Sequence, residues 1–264
     1  NLFSTVERDL NNGMTFFGEA GYYHALFTGQ REQSAPISSA PISIAANAYW
    51  NPFGPTLLAD GSANPNRLSG LTGVGASGVA MNITTYRPVD AGPRTYTVTD
   101  DSYRLLGGLK GAFGDGWKWE SAGLYSFART KDKTHNAISS TLFQQALNRT
   151  DSTAYNPFNG GSQTNWSGDD TTRNSQATIN SFLIDVYRIS ETSLTMWDFK
   201  VSKKDLFTLP GGDVGFASGV EVRRETYKDD RDDRLDGTTT YTNSVTGVTY
   251  NGDVLGASDS PDIK

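Results

Sequence analysis

The residues with the most evident potential for chemistry form an acidic run late in the chain. Four aspartates stand within five positions there: Asp229, Asp230, Asp232 and Asp233. Hard cations such as calcium are bound by several carboxylate oxygens from one flexible loop, which makes this run a candidate cation site. Arg231 and Arg234 interleave with the carboxylates, however, and Arg234 stands where an EF-hand loop needs a ligand. The pattern favours a solvated outer loop without a bound metal.

Catalytic groups are scarce in this sequence. Cysteine is absent, which excludes thiolate metal sites. Histidine occurs only twice, as His24 and His135, which disfavours a histidine-based triad or zinc cluster. Glu120 and Glu221 would be an acid and base pair only if the fold brought them together, and their spacing gives no reason to expect it. The glycines around Gly108 lie inside a strand pattern and do not open a helix as a phosphate loop does. We therefore expect a protein that is not an enzyme and holds no cofactor.

Charged side chains alternate with apolar ones in several segments. Successive side chains of a strand point to opposite faces of a sheet, so these charges are predicted to occupy one wet face. We expect the following residues to line that face, either touching a ligand or forming a hydrated wall: Glu19, Arg104, Lys110, Glu221 and Arg223.

Aromatic residues also occur in segments rich in Gly, Pro, Ser and Asn, which read as loops. Such side chains stack on sugars and on aromatic ligands as well as on each other. The candidate ligand contacts of this kind are Tyr49, Trp50, Phe53, Tyr155, Phe158 and Trp166.

The elements that carry these residues are predicted to be β-hairpins. One hairpin covers Leu194 to Tyr227 with a turn at Leu209–Asp213, and a second is centred on the turn Gly114–Gly116. In both hairpins apolar residues alternate with polar or small ones. In a soluble sandwich the apolar face would be the core, whereas in an outer-membrane barrel it would face lipid.

Other segments have weaker patterns of their own. Met14–Phe27, Val79–Pro88 and Ser181–Ser190 are predicted strands, and a short amphipathic helix is predicted between Ile138 and Leu147. A small hairpin is predicted in the segment TTTYTNSVTGVTYNG near the C-terminal end. Long excursions separate the hairpins, at residues 28–77 and 131–176, whereas the two clearest hairpin turns are short.

Composition limits the class of protein. The chain has 264 residues, 36% of them hydrophobic, and a net charge of −6. Its mean hydropathy of −0.48 and the lack of an apolar run of about 18 residues argue against a helical membrane protein. Transmembrane strands need only about 9–11 residues, half of them facing water. The acidic balance disfavours nucleic acid as a partner, and the composition fits an outer-membrane barrel as well as a soluble β protein. The short hairpin turns between long excursions favour an all-β, antiparallel transmembrane β-barrel with long extracellular loops.

Several segments taken together carry a family resemblance. They are YRLLGGLKGAFGDGWKWESAGLYSFARTKDKTHNAISSTLFQQAL, AYNPFNGG, SLTMWDFKVSKKDLFTLPGGDVGFASGVEVRRETY and DDRDDRLDG. Their order and co-occurrence resemble the barrel of TonB-dependent outer-membrane receptors of Gram-negative bacteria. The resemblance implies a 22-stranded barrel closed by a plug domain, surrounded by outer-membrane lipid and lipopolysaccharide. It also implies active uptake of a scarce nutrient, namely a siderophore, cobalamin or an oligosaccharide, with energy relayed by a TonB-type partner.

The chain departs from the family pattern in two respects. No plug-like region follows Asn1, and the predicted strands number about six to eight, too few to close a barrel of 22. The chain also starts without an initiator Met or signal peptide. We therefore expect residues 1–264 to be an interior portion of the transmembrane β-barrel domain, with the plug domain absent from this chain. The alternatives are a soluble or surface β-sandwich carbohydrate-binding module, and a small self-contained barrel or β-rich hydrolase.

Overall fold

A computed structural model describes residues 1–10, 13–36, 40–160, 173–257 and 259–263. Its strands, in chain order, are β1 (Leu2–Asp9), β2 (Met14–Arg31), β3 (Ile42–Ile44), β4 (Met81–Ile83), β5 (Arg94–Phe113), β6 (Trp117–Ile138), β7 (Leu183–Leu209), β8 (Gly212–Arg231), β9 (Thr240–Thr242) and β10 (Thr249–Asn251). Its helices are α1 (Ser140–Leu147), α2 (Gln176–Asn180) and α3 (Asp233–Asp236), with a 3₁₀ turn at Val89–Ala91. The predominance of strands confirms the all-β prediction.

One antiparallel sheet of six strands dominates the fold, in the order β1, β2, β5, β6, β7 and β8. Each strand pairs with the next sheet strand along the chain, so the three short turns all lie at one end of the sheet. Two of these turns are the predicted ones: Gly114 and Gly116 adopt positive φ in the first, and Pro210 and Gly211 form the second. Both predicted hairpins are therefore confirmed, and the long connections all lie at the opposite end.

Pairing across the strands gives the sheet two distinct faces. Tyr103 stands directly opposite both Tyr22 and Phe127, and Trp197 stands opposite Val222. We call the side that carries these residues the apolar face. Its large members are Leu2, Val6, Phe16, Tyr22, Tyr103, Leu105, Leu109, Phe113, Trp117, Trp119, Tyr125, Phe127, Trp197, Phe199, Val201, Phe216, Val220 and Val222. The opposite side is the polar face.

The buried core of the described chain lies in the long connections at one end of the sheet. Residues 40–91, 139–160, 173–182 and 232–257 pack together, and we call them the loop unit. Its largest fully buried side chains, which pack with Ile138 at the end of β6, are Tyr155, Tyr241, Phe143, Phe182, Ile42, Ile44, Leu147 and Leu255. The ring of Phe143 lies 5.2 Å from that of Tyr155 and 5.0 Å from that of Phe182, measured between centroids. By contrast, Leu105 on the apolar face is 56% exposed.

The predicted helix begins where its first backbone N–H groups find acceptors. Ser139 is the N-cap of α1, and its Oγ accepts a hydrogen bond from the Leu142 N–H at 3.1 Å. The buried Asp253 carboxylate accepts hydrogen bonds from the Ser139 hydroxyl at 2.6 Å and from the Thr141 N–H at 2.8 Å. Because Asp253 follows β10, this carboxylate ties the segment after β8 onto α1.

Several boundaries differ from the sequence-based expectations. Leu2–Asp9 forms a strand that was not predicted, and β2 continues beyond the expected end to Arg31. Within the predicted strand Val79–Pro88 only Met81–Ile83 is extended and paired, against Ile42–Ile44. The small hairpin near the C-terminal end is confirmed as β9 and β10.

The six-stranded sheet is open, and β1 and β8 are its edge strands. The described residues thus form an antiparallel sheet without closing into a barrel. No helix in the described ranges is both long and apolar enough to cross a membrane.

Candidate functional site

The five charged residues predicted to share a wet face all lie on the polar face. Glu19 stands 3.9 Å from Arg104, measured between carboxylate and guanidinium, and Lys110 binds Glu7 at 2.6 Å. Arg223 is level with Glu19 but lies four strands away, a separation of about 19 Å at the usual strand spacing. The sheet therefore places these residues along a common wall and does not gather them into one pocket.

Ion pairs balance much of the charge near the short-turn end of that wall. The Lys200 ammonium lies 3.2 Å from the buried Asp198 carboxylate and 3.7 Å from Glu120. Glu221 stands directly opposite Asp198 in the β7–β8 ladder. This part of the polar face therefore carries neighbouring charges of both signs, and these four residues form no convergent acid and base pair.

The strand glycines are explained by local packing. A Cβ at Gly108 would lie 2.4 Å from a ring carbon of Phe17 and 2.7 Å from the carbonyl oxygen of Ser121. Phe17 therefore lies across Gly108 on the polar face, and this glycine makes room for a side chain of the neighbouring strand. Gly107 faces the apolar side, with open space where a Cβ would be.

The loop aromatics separate into a buried and an accessible group, and the expectation for Tyr155 is corrected. Tyr155 has no exposed surface because it forms the core of the loop unit, so a ligand cannot reach it. Its hydroxyl donates a hydrogen bond to Asp90, and burial raises the pKa of this hydroxyl so that it stays protonated. Trp50 is half-buried and donates from Nε1 to the Ala154 carbonyl at 3.0 Å.

Phe53 is also half-buried, whereas Phe158 is 48% exposed. Phe158 is therefore the most accessible of the four aromatics Trp50, Phe53, Tyr155 and Phe158. Tyr49 is half-buried and packs edge-on against Trp50, and Trp166 lies outside the described residues.

The acidic run near the C-terminal end is divided between different surroundings. Asp229 is buried on the polar face, whereas Asp230 pairs with Ile189 on the opposite face. Asp232 caps α3 by accepting from the Arg234 N–H at 3.1 Å. The described residues contain no group of three or more acidic or histidine side chains suited to a metal ion. The candidate site at Asp229, Asp230, Asp232 and Asp233 thus loses the convergence that a cation needs.

Asp229 is held by two guanidinium groups. Its carboxylate accepts hydrogen bonds from Arg188 at 2.7 and 2.9 Å, from Arg231 at 3.0 Å and from the Ser190 hydroxyl at 3.1 Å. These donors, with Arg188 the strongest, lower the pKa of Asp229 to about 2 although burial opposes the shift. The cluster joins β7 to β8 just below the loop unit.

This ion cluster should make the loop end sensitive to acid. The pKa of Asp229 is lower in the folded state than its ordinary value of 3.8, so its contribution is complete above the ordinary value and is lost as pH falls towards 2. The contribution is about 2 kcal/mol. We expect Asp229→Asn to lack this part of the acid dependence when unfolding of both proteins is measured against pH. Parallel pH profiles for the two proteins would contradict the assignment.

On β5 and β6 the apolar face carries a band that is bounded by aromatic rings at both ends, whereas Arg8, Lys203 and Arg224 are charged residues of the same face on β1, β7 and β8. On β5 the band runs from Tyr103 to Phe113, and on β6 from Trp117 to Phe127. Near the turns the Phe113 and Trp117 rings stack at 6.2 Å, and at the other end Tyr22 and Tyr103 stack at 5.0 Å. About ten steps of 3.3 Å give this band a length of about 33 Å along the strands.

A row of charged residues crosses the apolar face just beyond the aromatic rings at the loop-unit end of the band. The row consists of His24, Asp101, Arg129, Glu191 and Lys228, one from each of five adjacent strands. The His24 ring lies 2.8 Å from Asp101, and Arg129 lies 3.3 Å from Glu191. On β2, β5 and β6 the same face therefore changes from an aromatic ring to a charged group within two residues.

Three arginines that the sequence reasoning missed meet where β2 and β5 enter the loop unit. Arg31 and Arg94 stand directly opposite each other on the polar face, and Arg87 reaches the same place from the preceding connection. No linear motif joins these positions, because 55 residues separate Arg31 from Arg87. Arg31 falls in the predicted excursion at residues 28–77 and Arg94 in no predicted strand, so nothing in the sequence indicated that they would meet.

Comparisons of the chain with protein-family models, with curated proteins and with solved structures found no match.

Proposed function

We propose that this chain forms part of the wall of a TonB-dependent outer-membrane receptor, a transmembrane β-barrel that takes up a scarce nutrient. The observation that carries the proposal is the apolar band with an aromatic border at each end. Strands in such barrels tilt by about 35–45°, which reduces a band of about 33 Å to a height of about 25 Å. That height equals the lipid-facing band of outer-membrane barrels.

The ends of the sheet support one orientation in the membrane. Short turns are typical of the periplasmic side and long loops of the outside. The alternating charges from Asp101 to Lys228 would then lie at the level of the outer lipid headgroups, where lipopolysaccharide carries its charged groups. The loop unit would stand in the external medium, where a nutrient is first encountered.

The polar face would line the lumen in this proposal. Its paired charges, such as Lys110 with Glu7, are hydrated and neutralise each other, as suits a wall that a solute passes. Transport rather than catalysis is proposed, with loops that capture the nutrient and a TonB-type partner that supplies energy through a plug outside this chain. A siderophore, cobalamin and an oligosaccharide are the cargo classes that the family resemblance implies.

A β-sandwich carbohydrate-binding module is the principal rival. Such a module needs a second layer against the apolar face, because two sheets bury their apolar sides against each other. The described residues supply no such layer: Val222 is 62% exposed and Trp197 is 48% exposed. An exposed apolar surface of this extent promotes aggregation in water, whereas in a membrane it would be covered by lipid.

The proposal predicts how the protein partitions in cells. We expect the full-length protein to sediment with outer membranes, to resist extraction by salt and alkaline carbonate, and to dissolve only in detergent. A soluble periplasmic protein from the same cells is the control for carry-over. Recovery of a monodisperse monomer from detergent-free buffer would contradict the proposal and favour the sandwich.

A further inference from the structure

We propose that Arg31, Arg87 and Arg94 form a binding site for a small polyanion at the loop end of the polar face. The ligand class is a molecule that carries two or more carboxylate or phosphate groups. If this ligand is the transported nutrient, it restricts the nutrient class of the proposed receptor to small polyanions. That part of the inference rests on the proposed function. The site itself rests only on the geometry described next.

Two of the three arginines line a cavity between β2, β5 and the segment that precedes β5, and Arg94 lies beside it, opposite Arg31 and bonded to the Glu32 carbonyl. Its volume is about 320 Å³, and Arg31 and Arg87 line it together with Gln33 and Gly92. Gln33 is buried, and its side-chain amide donates hydrogen bonds to the carbonyls of Gly92 and Asn136 at 3.2 and 2.9 Å. The floor of the cavity is therefore fixed by hydrogen bonds between separate segments.

Arg31 is held in place by an aromatic ring. Its guanidinium carbon lies 5.0 Å from the centroid of the Tyr96 ring, within the range of a cation–π interaction. Tyr96 in turn covers Gly29, where a Cβ would lie 2.4 Å from the Tyr96 hydroxyl oxygen. The absence of a side chain at Gly29 lets the ring lie across the strand beneath Arg31. A positioned guanidinium loses less entropy when it binds an anion.

The positive charges at this site exceed the negative ones. Among the residues that the structure describes, Glu32 is the one acidic residue lining the cavity; its carboxylate pairs with Arg87, and its carbonyl accepts from Arg94 Nε at 3.1 Å. Burial lowers the pKa of Arg94, and repulsion from Arg31 and Arg87 adds to the effect. Like charges directly opposite each other in a ladder are unfavourable. Three guanidinium groups against one carboxylate leave two positive charges for a ligand to neutralise.

The chemistry of the guanidinium group specifies the ligand. Its planar fork matches carboxylate and phosphate oxygens in pairs, and these hydrogen bonds are among the strongest in proteins. A neutral sugar would leave the repulsion among the arginines unrelieved. A cavity of this size lies at the small end of ligand pockets, so it fits a compact molecule such as a dicarboxylate, a tricarboxylate or a diphosphate.

Calorimetric titration of the full-length protein in detergent tests the site. Citrate is the carboxylate probe, pyrophosphate the phosphate probe and glucose the neutral control. We expect saturable binding of at least one anion and none of glucose, and about tenfold or greater weakening in Arg31→Gln and in Arg94→Gln. Lys131→Gln, a loss of one exposed cation from the apolar face, is the matched control and should bind as the wild type does.

Glu32→Gln provides a second test, because it is expected to strengthen binding, whereas misfolding would weaken it. It removes the one carboxylate that lines the site, so the same anion should bind several-fold more tightly. Absence of saturable anion binding, equal affinities for Arg31→Gln and Lys131→Gln, or no gain in Glu32→Gln would overturn the proposal. A protein that binds citrate but behaves as soluble would keep the site and reject the receptor. A membrane-embedded protein that binds neither anion would reject the site and keep the receptor proposal.

Discussion

Replacing Leu109 with arginine is expected to destabilise the membrane-inserted protein by about 2–4 kcal/mol. Leu109 lies near the middle of the apolar band, where it pairs with Phe16 and Ser121. If the apolar face meets lipid, as proposed, an arginine here would meet hydrocarbon, which cannot solvate its charge, and its side chain would be too far from either end of the band to reach water without strain. The free energy of unfolding is measured by urea titration of the protein refolded into phospholipid vesicles.

Leu106 gives a matched control on the same strand. It lies on the polar face, opposite Glu19 and Leu124, and the same change there adds a cation to a wall that already carries charges. Leu106→Arg should therefore cost less than about 1 kcal/mol. If the two variants lose the same stability, or if Leu106→Arg loses more, the apolar face is not the lipid-facing side.

Phe143→Ala is expected to have the largest effect in the loop unit, a loss of about 3–5 kcal/mol. Phe143 is fully buried on α1, and its ring packs edge-on against those of Tyr155 and Phe182. Removing the ring deletes these contacts and leaves a cavity that its aromatic neighbours cannot fill without breaking their own packing. Because the core joins all the long connections, its loss should open the loop unit as a whole.

Limited proteolysis of the membrane-embedded protein measures this effect, with cleavage expected to begin in the loop unit and to spare the strands. Phe158→Ala is the control, since Phe158 is half exposed and its removal should change stability by about 0.5 kcal/mol or less. A Phe143→Ala protein that is cleaved at the wild-type rate would show that the long connections do not unfold as one cooperative body.

The hairpins could be predicted because two local signals agreed. Alternation assigned Trp197, Phe199 and Val201 to one face, and short turns with glycine fixed the pairing on either side of them. The strands extend further than predicted wherever alternation fades. Arg94–Thr99 lies beyond the predicted arm of its hairpin, and it is extended because its backbone pairs with β2 and β6. Hydrogen bonding to neighbours, which leaves no mark on the residues themselves, sets those boundaries.

The loop unit and the arginine cluster could not be predicted from the sequence and became evident only in the structure. Ile42 and Ile44 stand among Ser, Pro and Ala, a composition typical of exposed loops, yet both are buried because β4 and α1 cover them. Tyr155 looked like a loop aromatic free to bind a ligand for the same reason. Arg31 and Arg94 become neighbours only through the register of β2 with β5, and that register depends on pairings some 20 residues away.

The strands of the sheet continue well past the aromatic border of the band. On β6 eleven residues follow Phe127 before the strand ends at Ile138, a distance of about 36 Å along the strand. In the proposed orientation, with the usual tilt, this places the loop unit roughly 27 Å beyond the aromatic border of the band. The receptor would then hold its folded head above the inner sugars of the surrounding lipopolysaccharide. A large solute in the medium would then meet that head before it meets the bilayer.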